Sequence, residues 1–194
     1  VLNIKIKEPK IIKNVFSEED HAKLKEFLKY YPREQMDYAQ SMGRYLLTHS
    51  MINEYAEKLI PLARELFESE GLLSSYSLFS HYEGTDASLY RHIDDNACTY
   101  TIDLCVYQNE PWALGVQHNG EDKEYVLQEN EAVVYYGNDQ EHWRPNFPNP
   151  ESQHVAMIFF HFVEPSHWYH TKGPDYVNVV RKQITEEEWN KTHL

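Results

Sequence analysis

The hydrophobic period of this chain changes once, near residue 72, and that change limits the folds open to it. Before it, apolar residues recur at helical spacing. Ser17 reads as an N-cap, with Glu18, Glu19 and Asp20 in the first turn, where the helix dipole favours acids. Leu24, Phe27 and Leu28 continue the stripe to about Tyr31, and Pro32 ends it. A second stripe (Ile52, Tyr55, Ala56, Leu59, Ile60, Ala63, Leu66, Phe67) predicts a helix from about Met51 to Glu70, capped by Ser50 and stopped at Gly71. Pro61 lies inside it and predicts a bend or restart. Ahead of both, Asn3 to Lys7 alternates like a short strand or edge.

After residue 72 the period shortens to that of strands. Leu73 to Tyr82, Ser88 to Ile93, Ala97 to Tyr107, Lys123 to Leu127, Ala132 to Tyr136 and His154 to Val163 read as strands, the last the strongest. Turn signals separate them: Glu83-Gly84-Thr85, Asn109 to Pro111, Asn119-Gly120, Gly137-Asn138-Asp139 and Asn146 to Pro150. Supporting helices followed by six or more short strands predict one mainly β domain of the α+β class. A β-sandwich or open barrel fits this order better than a parallel α/β sheet. The helical support spans about residues 9–71, the β-core about 72–165 and a C-terminal tail 166–194, all within a single domain of 1–194. The tail's polar, acidic end predicts a short surface helix at Thr185 to Lys191. There are no repeats, linkers or low-complexity tracts.

Composition narrows the partners. A chain of 194 residues suffices for one well-buried core. Its net charge of −13 repels phosphate backbones and anionic lipid, so neither nucleic acid nor a membrane surface is expected as a partner. No apolar run approaches a membrane span and no signal-peptide pattern opens the chain, which begins at Val1 and reads as trimmed there. Cys98 and Cys105 fall in one predicted strand, on opposite faces and about 23 Å apart. They are expected to remain free thiols, which points to a reducing, cytoplasmic setting. The 15 tyrosines predict an interior lined partly by rings with polar tips.

The chemistry rests on His92-Ile93-Asp94 and, fifty residues after its first histidine, His142. Two imidazoles and a carboxylate suit a divalent iron held on one face, with the opposite positions open. With 11 histidines and 31 acids, roughly two His-x-Asp/Glu triplets should arise by chance, and two occur: His92/Asp94 and His81/Glu83. Context separates them. Residues i and i+2 of a strand point the same way, so His92 and Asp94 can share a metal from one strand end. His142 follows the Ala132–Tyr136 strand across a short polar turn, whereas His81/Glu83 runs into Gly84 with no comparable third ligand. Asp95 points to the opposite side of an extended chain and is expected beyond the ligand set. His161, His167 and His170 do not alternate toward one ion and read as structural or surface residues, with a second metal site as the lesser alternative. Trp112, Trp143, Trp168 and Tyr169 are expected to pack, or to cover a substrate mouth.

In its order of motifs the chain resembles the Fe(II)/2-oxoglutarate-dependent dioxygenase superfamily, especially its prolyl-hydroxylase-like branch. Residues Pro9 to Glu19 resemble that branch's entry strand and first helix, and Tyr82-Glu83-Gly84 the stretch ahead of its first ligand. His92-Ile93-Asp94 matches its His-x-Asp motif, and Leu127 to Tyr136 resembles the strand pair before its distal histidine, here His142. The resemblance implies a double-stranded β-helix, or jelly roll. It implies His92, Asp94 and His142 as catalytic metal ligands, Fe(II) as cofactor and 2-oxoglutarate and O2 as co-substrates. The implied reaction attacks a C–H bond of a small-molecule or amino-acid-type substrate and releases succinate and CO2. Because Asp94 is present, hydroxylation is expected over halogenation. Tyr82, ten residues before His92, matches a position at which relatives bond the co-substrate.

One part of the pattern is missing. The resemblance calls for an Arg or Lys at the start of the last strand, about nine to twelve residues past the distal histidine, to pair with the far carboxylate of 2-oxoglutarate. Here Glu151, Ser152, Gln153 and His154 stand there, so Arg144 or a protonated His154 is expected to replace it. That gap keeps two other classes open: a cupin-like iron enzyme that does not use 2-oxoglutarate, and a non-catalytic β-sandwich binding module.

Overall fold

The structure, a computed structural model, describes residues 6–172. The expected tail helix lies outside these residues, as does most of the expected strand at Asn3 to Lys7.

Eleven strands and three α-helices build the described chain. In order they are β1 (Lys10–Ile12), α1 (Glu18–Tyr30), β2 (Asp37–Ala39), β3 (Arg44–Leu47), α2 (Ser50–Phe67), β4 (Leu73–Glu83), β5 (Leu89–His92) and β6 (Tyr100–Gln108). Then follow β7 (Leu114–His118), β8 (Glu121–Tyr125), β9 (Ala132–Tyr135), β10 (His142–Arg144), β11 (His154–Val163) and the one-turn α3 (Trp168–Thr171). A seven-stranded sheet in the order β1-β9-β6-β11-β4-β3-β2 faces a four-stranded sheet, β5-β10-β7-β8, and all pairings are antiparallel. This is the expected jelly roll.

Two cores hold it together. Helices α1 and α2 cover one face of the large sheet, burying Leu24, Leu28, Ile52, Leu59 and Phe67 against Phe79, Ile102, Leu104, Ile158 and Phe160. The second core fills the space between the sheets, where Tyr82, Val133, Tyr135, Met157 and Phe159 meet Leu114 and Val116. Strand alternation sorts the residues: Phe160 and Ile158 of β11 go to the helices, Phe159 and Met157 to the interior.

Local details depart from the sequence pattern. Ser17 does cap α1, its hydroxyl accepting from the Asp20 amide at 3.1 Å. The cap of α2, however, is His49, whose Nδ1 accepts from the Met51 amide, and the helix ends at Glu68 in the left-handed region (φ 55°), short of Gly71. Pro61 sits inside an unbroken α2. Strands β2, β3, β7 and β10 have no counterpart among the expected strands. Cys98 belongs to a short 3-10 turn, Asn96–Cys98, and not to the strand that carries Cys105, so the expected spacing along one strand does not hold. Both thiols are buried and neither is in a disulfide among the described residues.

Candidate metal centre

Strand β5 ends on His92 and β10 begins on His142, and the antiparallel ladder sets the two directly opposite each other. Their rings lie 4.3 Å apart between centroids. Asp94 follows two residues after His92, where the chain has left the strand. Its amide donates to the Gly137 carbonyl at 2.8 Å, in the turn after β9. Gly137 has no room for a side chain. A Cβ there would stand 2.6 Å from Asp94 Oδ2 and 2.6 Å from the Cys98 carbonyl oxygen. The β9 turn thus presses on the carboxylate and fixes its aim.

The donor atoms converge. Nε2 of His92 is 3.3 Å from Asp94 Oδ1, and Nε2 of His142 is 3.6 Å from Asp94 Oδ2. Each ring uses its other nitrogen in the same way: Nδ1 of His92 meets the Tyr90 carbonyl at 2.7 Å, and Nδ1 of His142 the Gln140 carbonyl at 3.0 Å. A carbonyl can only accept, so each Nδ1 carries a hydrogen and each Nε2 is free to ligate. Backbone carbonyls orient metal-binding imidazoles in this manner. Ligand atoms held about 2.1 Å from one ion at right angles lie about 3 Å apart, close to the spacing found. The three residues fit a divalent cation.

Electrostatics point the same way. Burial alone would raise the Asp94 pKa, but the His142 and His92 rings beside the carboxyl outweigh it and hold it well below its usual range. Burial would likewise lower the His142 pKa, yet the Asp94 carboxylate raises it overall. The site favours positive charge.

A cavity of about 260 Å³ opens onto this cluster, bounded also by Arg44, Tyr76, Leu78, Tyr90, Tyr135, Phe159 and His161. The Tyr135 ring packs against His142 at 4.9 Å, and burial pushes its phenol well above the ordinary value. His161, read from sequence as structural or surface, lines this cavity, and its Nδ1 meets the Tyr76 carbonyl at 3.0 Å. The signal that locates it is the alternation of β11, which turns Val155, Met157, Phe159 and His161 inward. Asp94, Cys98 and His161 form a second group of donor atoms within 4.8 Å of one another. Arg44, on a strand absent from the sequence reading, is the only Lys or Arg lining this cavity among the described residues.

The other candidates are placed elsewhere. Tyr82 is fully buried between the sheets and its hydroxyl accepts from Arg44 Nη1 at 2.9 Å. Arg144 is also buried; it donates to Asp103 at 3.1 Å and to the Trp112 carbonyl at 3.0 Å, and is not among the residues lining the cavity. Burial lifts the Asp103 carboxyl to about 6 even beside this guanidinium. His154 stacks on His81 across the opposite face of the large sheet, where both line a separate, more open cavity of about 590 Å³. In that second cavity His81 bonds Glu83 and Tyr107 at 2.9 and 3.0 Å, which accounts for the rival triplet structurally. Asp95 caps the turn that follows it, accepting from the Ala97 amide at 2.8 Å. Trp112 is buried and packs edge-on to Tyr82, while Trp143 lies under the Arg91 guanidinium at 4.0 Å.

Comparison of the structure with solved ones finds the same architecture repeatedly. A Pseudomonas putida prolyl-4-hydroxylase superposes with a TM-score of 0.61 at 13% identity, covering 79% of this chain and 91% of its own. A 2OG-Fe(II) oxygenase family oxidoreductase from Burkholderia pseudomallei gives a TM-score of 0.65 at 7% identity, over 79% and 84% of the two chains. The fold is that of the 2-oxoglutarate oxygenases. HygX from Streptomyces hygroscopicus, solved with nickel, 2-oxoglutarate and hygromycin B bound, gives 0.63 at 9% identity over 81% and 83%. By sequence, no protein-family model matches the chain, and no curated protein does. At these identities the likeness is one of fold.

Proposed function

We propose that this chain is a non-haem Fe(II)/2-oxoglutarate-dependent oxygenase that hydroxylates a C–H bond of a small-molecule or amino-acid-type substrate. The observation that carries the reading is the convergence of His92, Asp94 and His142 at a cavity inside a jelly roll, with both Nδ1 atoms tied to backbone carbonyls. Bound there, iron would supply oxygen activation coupled to conversion of 2-oxoglutarate to succinate and CO2.

The chain's own residues do the rest. His92, Asp94 and His142 would hold the ion at the edge of the cavity that they line. Asp94 supplies the third ligand, so no protein position is vacated for a halide, which favours hydroxylation over halogenation. Tyr135, Leu78 and Phe159 wall the cavity with rings and aliphatic surface, excluding water from the reacting groups. Exposed Tyr90 and Ile93 flank the opening beside His92. A cavity of about 260 Å³ suits a small acid and the reacting end of a compact substrate. No helix among the described residues is long and apolar enough to cross a membrane.

The test is anaerobic addition of Fe(II) and then 2-oxoglutarate, followed by oxygen. The reading expects a visible charge-transfer band on the second addition and succinate release on the third, both lost in Asp94→Ala. Metal binding with no response to 2-oxoglutarate would move the chain to the cupin-like class. Absence of metal binding would leave a non-catalytic binding module.

A further inference from the structure

Resting on the co-substrate reading above, we propose that Arg44, held by Tyr82, is this chain's clamp for the far carboxylate of the 2-oxo acid. It replaces the cation that the last strand lacks.

The large sheet's register makes the case. Val155, the first interior-facing residue of β11, stands opposite Tyr82 of β4, and Tyr82 stands opposite Arg44 of β3. Val155, Tyr82 and Arg44 therefore form one row across the sheet. The row begins at the strand end where a cation was expected and ends, two strands away, on a guanidinium. At about 4.8 Å per strand the displacement is about 10 Å. Arg44 recovers part of it by leaning back over the Tyr82 ring, its guanidinium carbon 5.6 Å from the ring centroid.

The guanidinium is also unclaimed. The chain carries 31 acids, yet no carboxylate lies within 4.0 Å of Arg44 among the described residues. Among the described residues its one hydrogen bond, to Tyr82, uses Nη1. Nε is buried without a partner and Nη2 makes no hydrogen bond among the same residues, so a turn of the guanidinium toward the cavity would offer a carboxylate two parallel hydrogen bonds. A half-buried guanidinium bordering the same cavity as the metal ligands, with a donor left unsatisfied, is poised for an anion.

The backbone beneath it is rigid. Gly43 adopts φ +52°, and its carbonyl accepts from the Glu83 amide at 3.0 Å. A Cβ at Gly43 would meet the Ala87 amide nitrogen at 2.4 Å. The start of β3 is thereby fixed against the loop that leads to the metal strand. By contrast Arg144 already has a carboxylate partner, and His154 faces the other cavity.

The experiment compares two 2-oxo acids by anaerobic titration of the Fe(II) protein, reading the charge-transfer band rather than turnover. 2-Oxoglutarate has the far carboxylate and 2-oxobutyrate does not. Wild type should bind the first far more tightly. Arg44→Gln should weaken 2-oxoglutarate by about 10- to 100-fold and leave 2-oxobutyrate unchanged. Arg44→Lys should restore part of the loss, and it carries the same comparison should the Gln variant unfold. An Arg44 variant that binds 2-oxoglutarate as wild type does, or loses both acids equally, overturns the clamp alone. A wild-type protein showing no band with either acid overturns the oxygenase reading and the clamp with it.

Discussion

His142 stands directly across the β5–β10 ladder from His92, with 4.3 Å between their ring centroids. Packing two imidazoles this closely beside Asp94 concentrates lone pairs, so an ion bound there should stabilise the fold by mass action. At a free metal concentration about a hundredfold above Kd the gain is about 2.7 kcal/mol. For a domain of this size that corresponds to a rise in Tm of roughly 5–10 °C. Anaerobic Fe(II), or Mn(II) as a redox-silent probe, should produce it in wild type and not in His142→Ala. Equal shifts in the two proteins would place the ion elsewhere.

Gly137 should be as sensitive as a ligand, although it binds nothing itself. A methyl group at this position collides with Asp94 Oδ2, the Cys98 carbonyl and Thr101 Oγ1, which are 2.6, 2.6 and 2.7 Å away. Two of the three are side-chain oxygens and one is a backbone carbonyl, so Gly137→Ala should turn Asp94 out of line, displace the turn at Cys98 locally, and weaken metal affinity about 10- to 100-fold, as loss of an orienting contact does. Far-UV circular dichroism should remain that of the wild type. Unchanged affinity in titration calorimetry would show that the turn does not position Asp94.

The contrast between Gly137 and Arg44 shows what was legible in the sequence. Strands β6 and β11, long and alternating, and both helices could be read because local pattern and tertiary packing agree in them. His92 and Asp94 were readable because they are near neighbours, and His142 because the turn signals around it were clear. Strands β3 and β10, of four and three residues, have too little pattern to register and exist through their ladders with β4, β5 and β7. Strand β7 was hidden by Gly115, which reads as a loop residue but makes room for the Trp143 ring. Arg44 went unseen for the same reason as its strand. Nothing near it in sequence forecasts that β3 will lie beside Tyr82.

His81 should make the protein acid-labile. Burial holds its pKa down at about 3, against 6.5 when unfolded, so between those values the unfolded chain takes up a proton that the folded chain refuses. Unfolding is then favoured as pH falls, and the stability this group contributes above pH 6.5 is lost progressively toward pH 3. Denaturant melts of His81→Gln, compared with wild type between pH 7 and about 4, isolate the contribution. The gap between the two proteins should shift in the variant's favour on acidification. A pH-independent gap would mean that His81 charges freely in the folded state.

Arg144 is expected to matter for stability and not for the 2-oxo acid. Its guanidinium and the Asp103 carboxylate are both fully buried, 3.1 Å apart, with Asp103 Oδ1 and Arg144 Nε left without partners among the described residues. Removing one member strands the other, at a cost of about 3–5 kcal/mol. The loss in Arg144→Met should be largest near pH 8. Asp103, already raised to about 6 beside the cation, escapes the penalty by protonating as pH falls, so the loss should shrink toward pH 5. Replacing both, as in Arg144→Met with Asp103→Leu, should recover most of the stability at pH 8, because no charge is then left unpaired. Urea denaturation at the two pH values measures all three. If Arg144→Met instead kept its stability and lost affinity for 2-oxoglutarate, the carboxylate-binding role would belong to Arg144 and not to Arg44.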